Sequence, residues 1–176
     1  MSEVISTEMK IINSYCHLIK IKNPNNISIK DIIADAKISK STFYNYFSTK
    51  DSLIEEATNI ILDEITQIVN HDLQFNDQVV LELLTYLKNN RNIVDAILKV
   101  QPNIAFTIND YIKDLILYSE IVDFENTLVS KYNLPFKYAL TLYVATIQSL
   151  ISQWMDDNFE EEPESISKYI SNSVRI

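Results

Sequence analysis

Apolar residues recur along this chain at three- and four-residue spacing almost from end to end, which is the period of helices that bury one face. Met9, Ile12, Tyr15 and Ile19 make the first stripe. Asn23-Pro24-Asn25-Asn26 ends it, and asparagine is expected there in the left-handed positions that glycine usually fills. A short helix from Ser28 follows, with Ile29, Ile32, Ile33 and Ala36 inward and with Ser28 and Asp31 spaced as a capping box. A second short helix starts at Ser39 and carries Phe43 and Phe47 one turn apart on its inner side. Ser48 and Asp51 repeat the capping spacing ahead of a long helix with Leu53, Ala57, Ile60, Ile61, Ile65, Ile68 and Val69. Further helical stripes fall at 79–87, 93–98 and 108–118, while 121–134 shows no clear period. Pro135 opens a long helix with Leu140, Tyr143, Val144, Ile147, Leu150, Ile151 and Trp154 inward, and Pro163 opens the last, with Ile166, Tyr169, Ile170 and Val174 on one face. No segment alternates as a strand does. The pattern predicts an all-α chain.

Composition narrows the chemistry. The chain has 176 residues and no glycine, where average usage of ~7% would supply about a dozen. The P-loop, the dinucleotide fingerprint, the EF-hand loop and the glycine-flanked nucleophile elbow are therefore excluded. Four prolines add few turns, which agrees with long helices on short links. The single cysteine, Cys16, has no partner for an internal disulfide and cannot alone build a zinc site. Cys16 and His17 point in different directions on a helix, and His71 stands apart. No nucleophile–base or metal constellation assembles, so no catalytic residue, metal or cofactor is expected. The opening MSEVISTEMK lacks the regions of a secretory signal. The longest uncharged run, 138–154, contains Thr141, Thr146, Gln148, Ser149, Ser152 and Gln153. It falls short of a membrane span of ~20 apolar residues. A cytoplasmic setting with no membrane partner is expected.

The net charge of −9 is unevenly spread. Residues 1–50 hold seven lysines against Glu3, Glu8, Asp31 and Asp35, a net of +3, which leaves eight bases and 20 acids, or −12, beyond. A basic head of this kind can meet phosphate while the acidic body avoids it. The acidic run between 156 and 164 is expected as a solvated loop.

The head also carries a motif. Two short helices joined by Ala36-Lys37-Ile38 have the layout of a helix-turn-helix, whose second helix enters the major groove. With Phe43 and Phe47 inward, Lys40, Ser41, Tyr44 and Asn45 are left outward and Thr42 sits at the edge. Such groups bond phosphates and base edges. The segment ISIKDIIADAKISKSTFYNYFSTKDSLIEEA resembles the DNA-binding segment of TetR/AcrR transcriptional regulators, residue for residue from Ser39 to Phe47 and again at Lys50 and Leu53. The likeness is sharp over 7–57 and looser beyond. Trp154 to Asn158 and Pro163-Glu164 resemble the junction of the last two helices of many members. Asn89-Asn90-Arg91 is similar to a helix link in regulators of dihydroxyacetone kinase operons.

The resemblance implies a helix-turn-helix DNA-binding domain over 1–47 and a larger helical effector-binding and dimerisation domain over 48–176. It places Lys30, Lys40, Ser41 and Thr42 towards bases, and Ser28, Tyr44, Tyr46 and Lys50 on phosphates. Asn45 and Lys37 are further candidates for DNA contact. The family has glycine where Lys37 stands, so the turn is either strained or different; a left-handed lysine costs about 1–2 kcal/mol. The implied partners are a palindromic double-stranded operator, a second copy of the chain and a small apolar or aromatic effector. The dimer is expected through the last two helices at Leu140, Tyr143, Val144, Ile147, Leu150, Ile151, Trp154, Ile166, Tyr169 and Ile170. Tyr86, Phe106, Tyr111, Tyr118 and Tyr143 are the aromatic candidates for an effector pocket. The function so implied is a nucleoid-associated repressor released by its effector, with the long helix from Ser48 as a lever between the domains. The alternative is a protein-binding adaptor that kept the fold and lost operator binding.

Overall fold

The computed structural model describes residues 6–71, 76–101, 104, 111, 113, 114, 116, 117 and 123–174. Its helices are α1 (Thr7–Ile21), α2 (Ile29–Ala36), α3 (Lys40–Tyr46), α4 (Lys50–His71), α5 (Asp77–Asn89), α6 (Arg91–Val100), α7 (Phe124–Tyr132), α8 (Phe136–Asp156) and α9 (Pro163–Val174). There is no strand among the described residues. The helix expected at 108–118 lies largely outside them. The stretch without a clear period contains α7. No helix of the described residues is long and apolar enough to cross a membrane.

The chain divides into two compact units. The first comprises α1, α2, α3, α4 as far as Glu64, and α6. In it α1 packs against both α2 and α6. Ile11, Ile12 and Tyr15 of α1 are buried with Ile32, Phe43, Leu53, Ile54, Ala57, Ala96 and Ile97. The helix starts follow from local hydrogen bonding. Ser28 Oγ accepts from the Asp31 amide (3.2 Å) while Asp31 Oδ2 accepts from the Ser28 amide (2.8 Å), so the capping box forms in full. The start of α4 differs from expectation. Thr49 and Ser52, not Ser48 and Asp51, cap each other's amides, and the helix begins at Lys50. The asparagines after α1 also differ. Pro24–Asn26 form a 3-10 turn capped by the Asn23 side chain, and none of the four residues is left-handed.

Lys37 does take the left-handed conformation, at φ 54° and ψ 46°. Its amide reaches Ala34 O and the Ile38 amide reaches Ile33 O, which closes a Schellman turn. A chain without glycine must spend a side-chain-bearing residue here. Lys37→Gly should remove the left-handed cost of about 1–2 kcal/mol and add back about 0.5–1 kcal/mol of unfolded-chain entropy. The expected net gain of about 0.5–1 kcal/mol would raise the urea midpoint at unchanged slope; a lower midpoint would show that the lysine side chain stabilises the turn.

The second unit holds the end of α4 with α5, α7, α8 and α9. α9 packs on α5 and α8, and α7 packs on α8. Val79, Leu84, Leu128, Ala139, Leu140, Val144, Trp154, Ile166 and Ile170 are buried in it. The end of α8 is a second Schellman turn, with Asn158 and Phe159 both at positive φ. The Phe159 ring lies edge-on to Trp154 at 4.8 Å, and Trp154 Nε1–H donates to Glu161 O at 3.0 Å. Lys88 Nζ reaches Glu161 O at 3.1 Å and Glu162 Oε2 at 2.9 Å. The acidic run is therefore anchored at its centre as well as solvated at Glu160 and Glu164.

Candidate nucleic-acid interface

Phe43 is fully buried and Phe47 nearly so, with ring centroids 6.0 Å apart. These anchors set the rotation of α3 about its axis. They leave Lys40, Ser41, Tyr44, Asn45 and Tyr46 exposed, with Thr42 half-buried. Lys30 on α2 and Lys37 in the turn are exposed as well. Tyr44 meets the edge of Phe43 at 5.5 Å, and Lys40 Nζ stands 5.9 Å from the Tyr44 ring. The ring thus holds a cation beside it, an arrangement worth about 0.5–1 kcal/mol at exposed sites. At the N-terminus of α3, Ser39 Oγ accepts from the Thr42 amide at 3.0 Å. It also contacts Ser41 Oγ at 2.8 Å and Thr42 Oγ1 at 2.7 Å.

Two residues expected on phosphates have structural partners. Lys50 is half-buried, and its ammonium donates to Pro24 O at 2.6 Å and Ile27 O at 3.1 Å. Two of its three protons thus clamp the start of α4 to the loop after α1. Ser28 Oγ donates to Asp31 Oδ2 at 2.6 Å. The hydroxyl and amide of Ser28, and then Lys22 at 3.0 Å, hold the Asp31 carboxyl well below its usual range.

α2 is pinned to α1 by Asp35. Its carboxylate accepts from Ser14 Oγ at 2.7 Å and pairs with His17 Nδ1 at 3.0 Å. The Ser14 hydroxyl, followed by His17, draws the Asp35 carboxyl below its ordinary value against a smaller opposing effect of burial. A carboxyl depressed in the folded state stabilises above its unfolded pKa of about 3.9 and loses that contribution as pH falls through the folded value. The stability gap between the natural chain and Asp35→Asn should therefore shrink below about pH 4. Urea midpoints measured against pH would show it, and a gap that widens in acid would contradict it. Beside this pin, burial pushes the Cys16 thiol up to about 12, so it stays neutral and inert in the folded chain.

In the second unit the aromatic candidates separate. Tyr143 is buried and meets Phe124 edge-on at 5.5 Å, and Phe124 meets Phe136 at 6.3 Å. Burial, then the nearby Tyr132, pushes the Tyr143 hydroxyl up to about 12. Tyr111 bonds through its hydroxyl to Thr66 Oγ1, and Tyr86 is half-buried. Phe106 and Tyr118 lie outside the described residues. Phe124 and Phe136 escaped the sequence reading because they open α7 and α8 in and beside a stretch of weak period; the folding of α7 on α8 brings Phe124 to Tyr143 and Phe136.

The residues expected in a dimer seam differ in their exposure within the single chain. Leu140, Tyr143, Val144, Ile147, Trp154, Ile166 and Ile170 are buried within one chain, and Leu150 and Ile151 are half-buried. A side chain already inside its own core has no surface to offer a second copy. Of the expected set Tyr169 is exposed, at 48%, and the apolar surface of α8 is instead carried by Tyr138 and Leu142, at 54% and 45%. Among the described residues no group of three or more His, Cys, Asp or Glu is placed to hold a metal ion.

Known proteins resemble both the N-terminal and the C-terminal part of this chain. Residues 11–57 match the model for bacterial regulatory proteins of the tetR family, and residues 76–175 match that for a transcriptional regulator C-terminal region. The chain is 20% identical over 176 residues to the uncharacterized HTH-type transcriptional regulator YxbF of Bacillus subtilis, covering 94% of this chain. It spans only 44% of that protein's length. It is 25% identical over 153 residues to the HTH-type dhaKLM operon transcriptional activator DhaS of Lactococcus lactis, covering 80% of each. Among solved structures, a dihydroxyacetone kinase operon activator DhaS superposes with a TM-score of 0.67 at 20% identity, covering 97% of this chain and 95% of the other. A TetR transcriptional regulator from Streptococcus agalactiae superposes with a TM-score of 0.61 at 16% identity, covering 96% and 93%. A basic helix-turn-helix head, a helical C-terminal body, and family matches over both establish that this chain belongs to the TetR family of transcriptional regulators.

Proposed function

We propose that the protein is a cytoplasmic, nucleoid-associated homodimer whose two α3 helices read a palindromic operator, and that it represses until a small apolar or aromatic effector releases it. The observation that carries the DNA-reading part is the outer surface of α3. Lys40, Ser41, Tyr44 and Asn45 face solvent because Phe43 and Phe47 face the core. Residues 1–47 read DNA in this account, and 48–176 dimerise and bind the effector. α4 belongs to both compact units, leaving the first at Glu64 and entering the second at Ile65, which supports its role as the lever. The aromatic group of buried Tyr143 with half-buried Phe124 and Phe136 supports an apolar or aromatic effector. The dimer seam in this account is the exposed surface of α8 and α9 at Tyr138, Leu142 and Tyr169.

Selection of DNA fragments by the purified protein tests the reading. A palindromic winner with half-sites about 10 base pairs apart, or a multiple, is the expected result. Its log affinity should fall against log salt at about 0.9 per neutralised phosphate. No enriched sequence would favour the adaptor reading. Activation is the second reading for the sign of regulation, because two of the similar proteins carry the name of activators. Transcription from a promoter carrying the selected site decides it: a fall on adding protein means repression, a rise activation.

A further inference from the structure

Three hydroxyls meet at the start of α3. Ser39 Oγ lies 2.8 Å from Ser41 Oγ and 2.7 Å from Thr42 Oγ1, and it accepts from the Thr42 amide. Each hydroxyl has one proton and two lone pairs. The Thr42 amide occupies one lone pair of Ser39, which leaves it one proton to give and one lone pair to receive. Its two hydroxyl contacts must therefore run in opposite senses. In one arrangement Ser39 donates to Ser41, Thr42 donates to Ser39, and only the Ser41 proton is free to point away. In the other, Ser39 donates to Thr42, Ser41 donates to Ser39, and only the Thr42 proton is free. If Ser41 and Thr42 both donated inward, Ser39 would have three donors on two lone pairs. If both donated outward, one of the two contacts would have no proton in it.

We propose that Ser39 is a specificity-positioning residue: it couples Ser41 and Thr42 so that at most one of them donates to a base edge while the other accepts. Resting on the reading that α3 enters a major groove, this makes the choice of base at two neighbouring positions interdependent. A site with an acceptor edge (guanine O6 or N7, thymine O4) facing one hydroxyl and a donor edge (adenine N6, cytosine N4) facing the other satisfies the relay. A site with acceptors facing both forces a contact to break. The relay switches between its two senses by rotating hydroxyl protons alone, so the same helix accepts either order of acceptor and donor without moving its backbone. It consists of side-chain hydroxyls; the one amide involved, that of Thr42, is already satisfied by Ser39. Ser39 need not touch DNA, and position 39 carries this signal in sequence only as a helix cap.

The test randomises the two base pairs facing Ser41 and Thr42 within the selected operator and measures the relative affinity of every combination. The natural chain and Ser39→Thr, which keeps the hydroxyl, should both disfavour the double-acceptor combinations by about tenfold relative to what the single positions predict. Ser39→Ala frees both hydroxyls to donate independently, and this coupling should vanish. Ser39→Asp keeps a strong N-cap but takes both protons inward, so preference for acceptor edges should fall at both positions. It stands in for Ser39→Ala should loss of the cap unfold the head. Loss of the cap by itself lowers affinity for all sequences alike. Equal coupling in Ser39→Ala and the natural chain, or no coupling in the natural chain, would overturn the proposal while leaving operator binding intact. A failure of every protein to enrich any DNA would overturn operator reading, and the relay's role with it.

Discussion

A chain carrying Thr42→Ala and Tyr44→Ala together should bind its selected operator at least about a hundredfold more weakly than the natural chain. Each specific contact to a base or its surroundings is worth about 1–3 kcal/mol, and a dimer loses the pair twice. The fold should survive. Thr42 keeps the backbone amide that Ser39 caps, and Tyr44 is half exposed, touching Phe43 only with an edge. Neither side chain is charged, so the slope of log affinity against log salt should stay as it was. Lys40→Ala gives the contrasting result, a relaxed preference at the base pair it faces together with a shallower salt slope, because a positive charge leaves the interface. Fluorescence anisotropy on labelled operator at several salt concentrations measures both quantities. Unchanged affinity in the double variant would remove α3 from the DNA and return the adaptor reading.

Leu142→Glu should turn the dimer into monomers and weaken operator binding by a factor of about 10²–10⁴, the gain that linking two modules supplies without any new contact. Leu142 lies one turn from Tyr138 on the outer side of α8, and both are about half exposed in the single chain. A charge there meets water in the monomer and meets an apolar partner surface in the dimer. The same change at Leu140, buried at 3%, places an unpaired charge in the core, so that variant should unfold. Sedimentation velocity distinguishes monomer from dimer, and circular dichroism shows which variant has lost its helices. A Leu142→Glu chain that stays dimeric with full affinity would move the seam off this surface.

The head was legible from sequence in unusual detail, because its determinants are near neighbours along the chain. Ser28 with Asp31 is a cap pair three residues apart that operates in the structure as its spacing implies, and the second short helix begins after Ser39 as expected. The turn at Lys37 stood out in sequence only as the place where the family's glycine is missing; its left-handed geometry came from the structure. α7 was not legible. Its face is short and mixed, with Leu128 its one fully buried residue, so periodicity had little to register.

Spacing along the chain by itself determined the helical class, the order of most helices and the side of α3 that faces out, because each depends on contacts within a turn or two. Tertiary structure decided which surfaces and charges remain available. Lys50 reads as a free cation in sequence, but carbonyls of Pro24 and Ile27 claim it. The inward stripe of α8 reads equally as core or as seam, and only the packing of α7 and α9 against that helix assigns Leu140, Tyr143 and Val144 to the chain's own interior. The physical reason is the same in both cases. A periodic stripe shows that a face will be buried, and a lysine shows that a charge will be solvated or paired, but what covers or pairs it comes from residues far away in the chain, and their approach is set by the packing of whole helices.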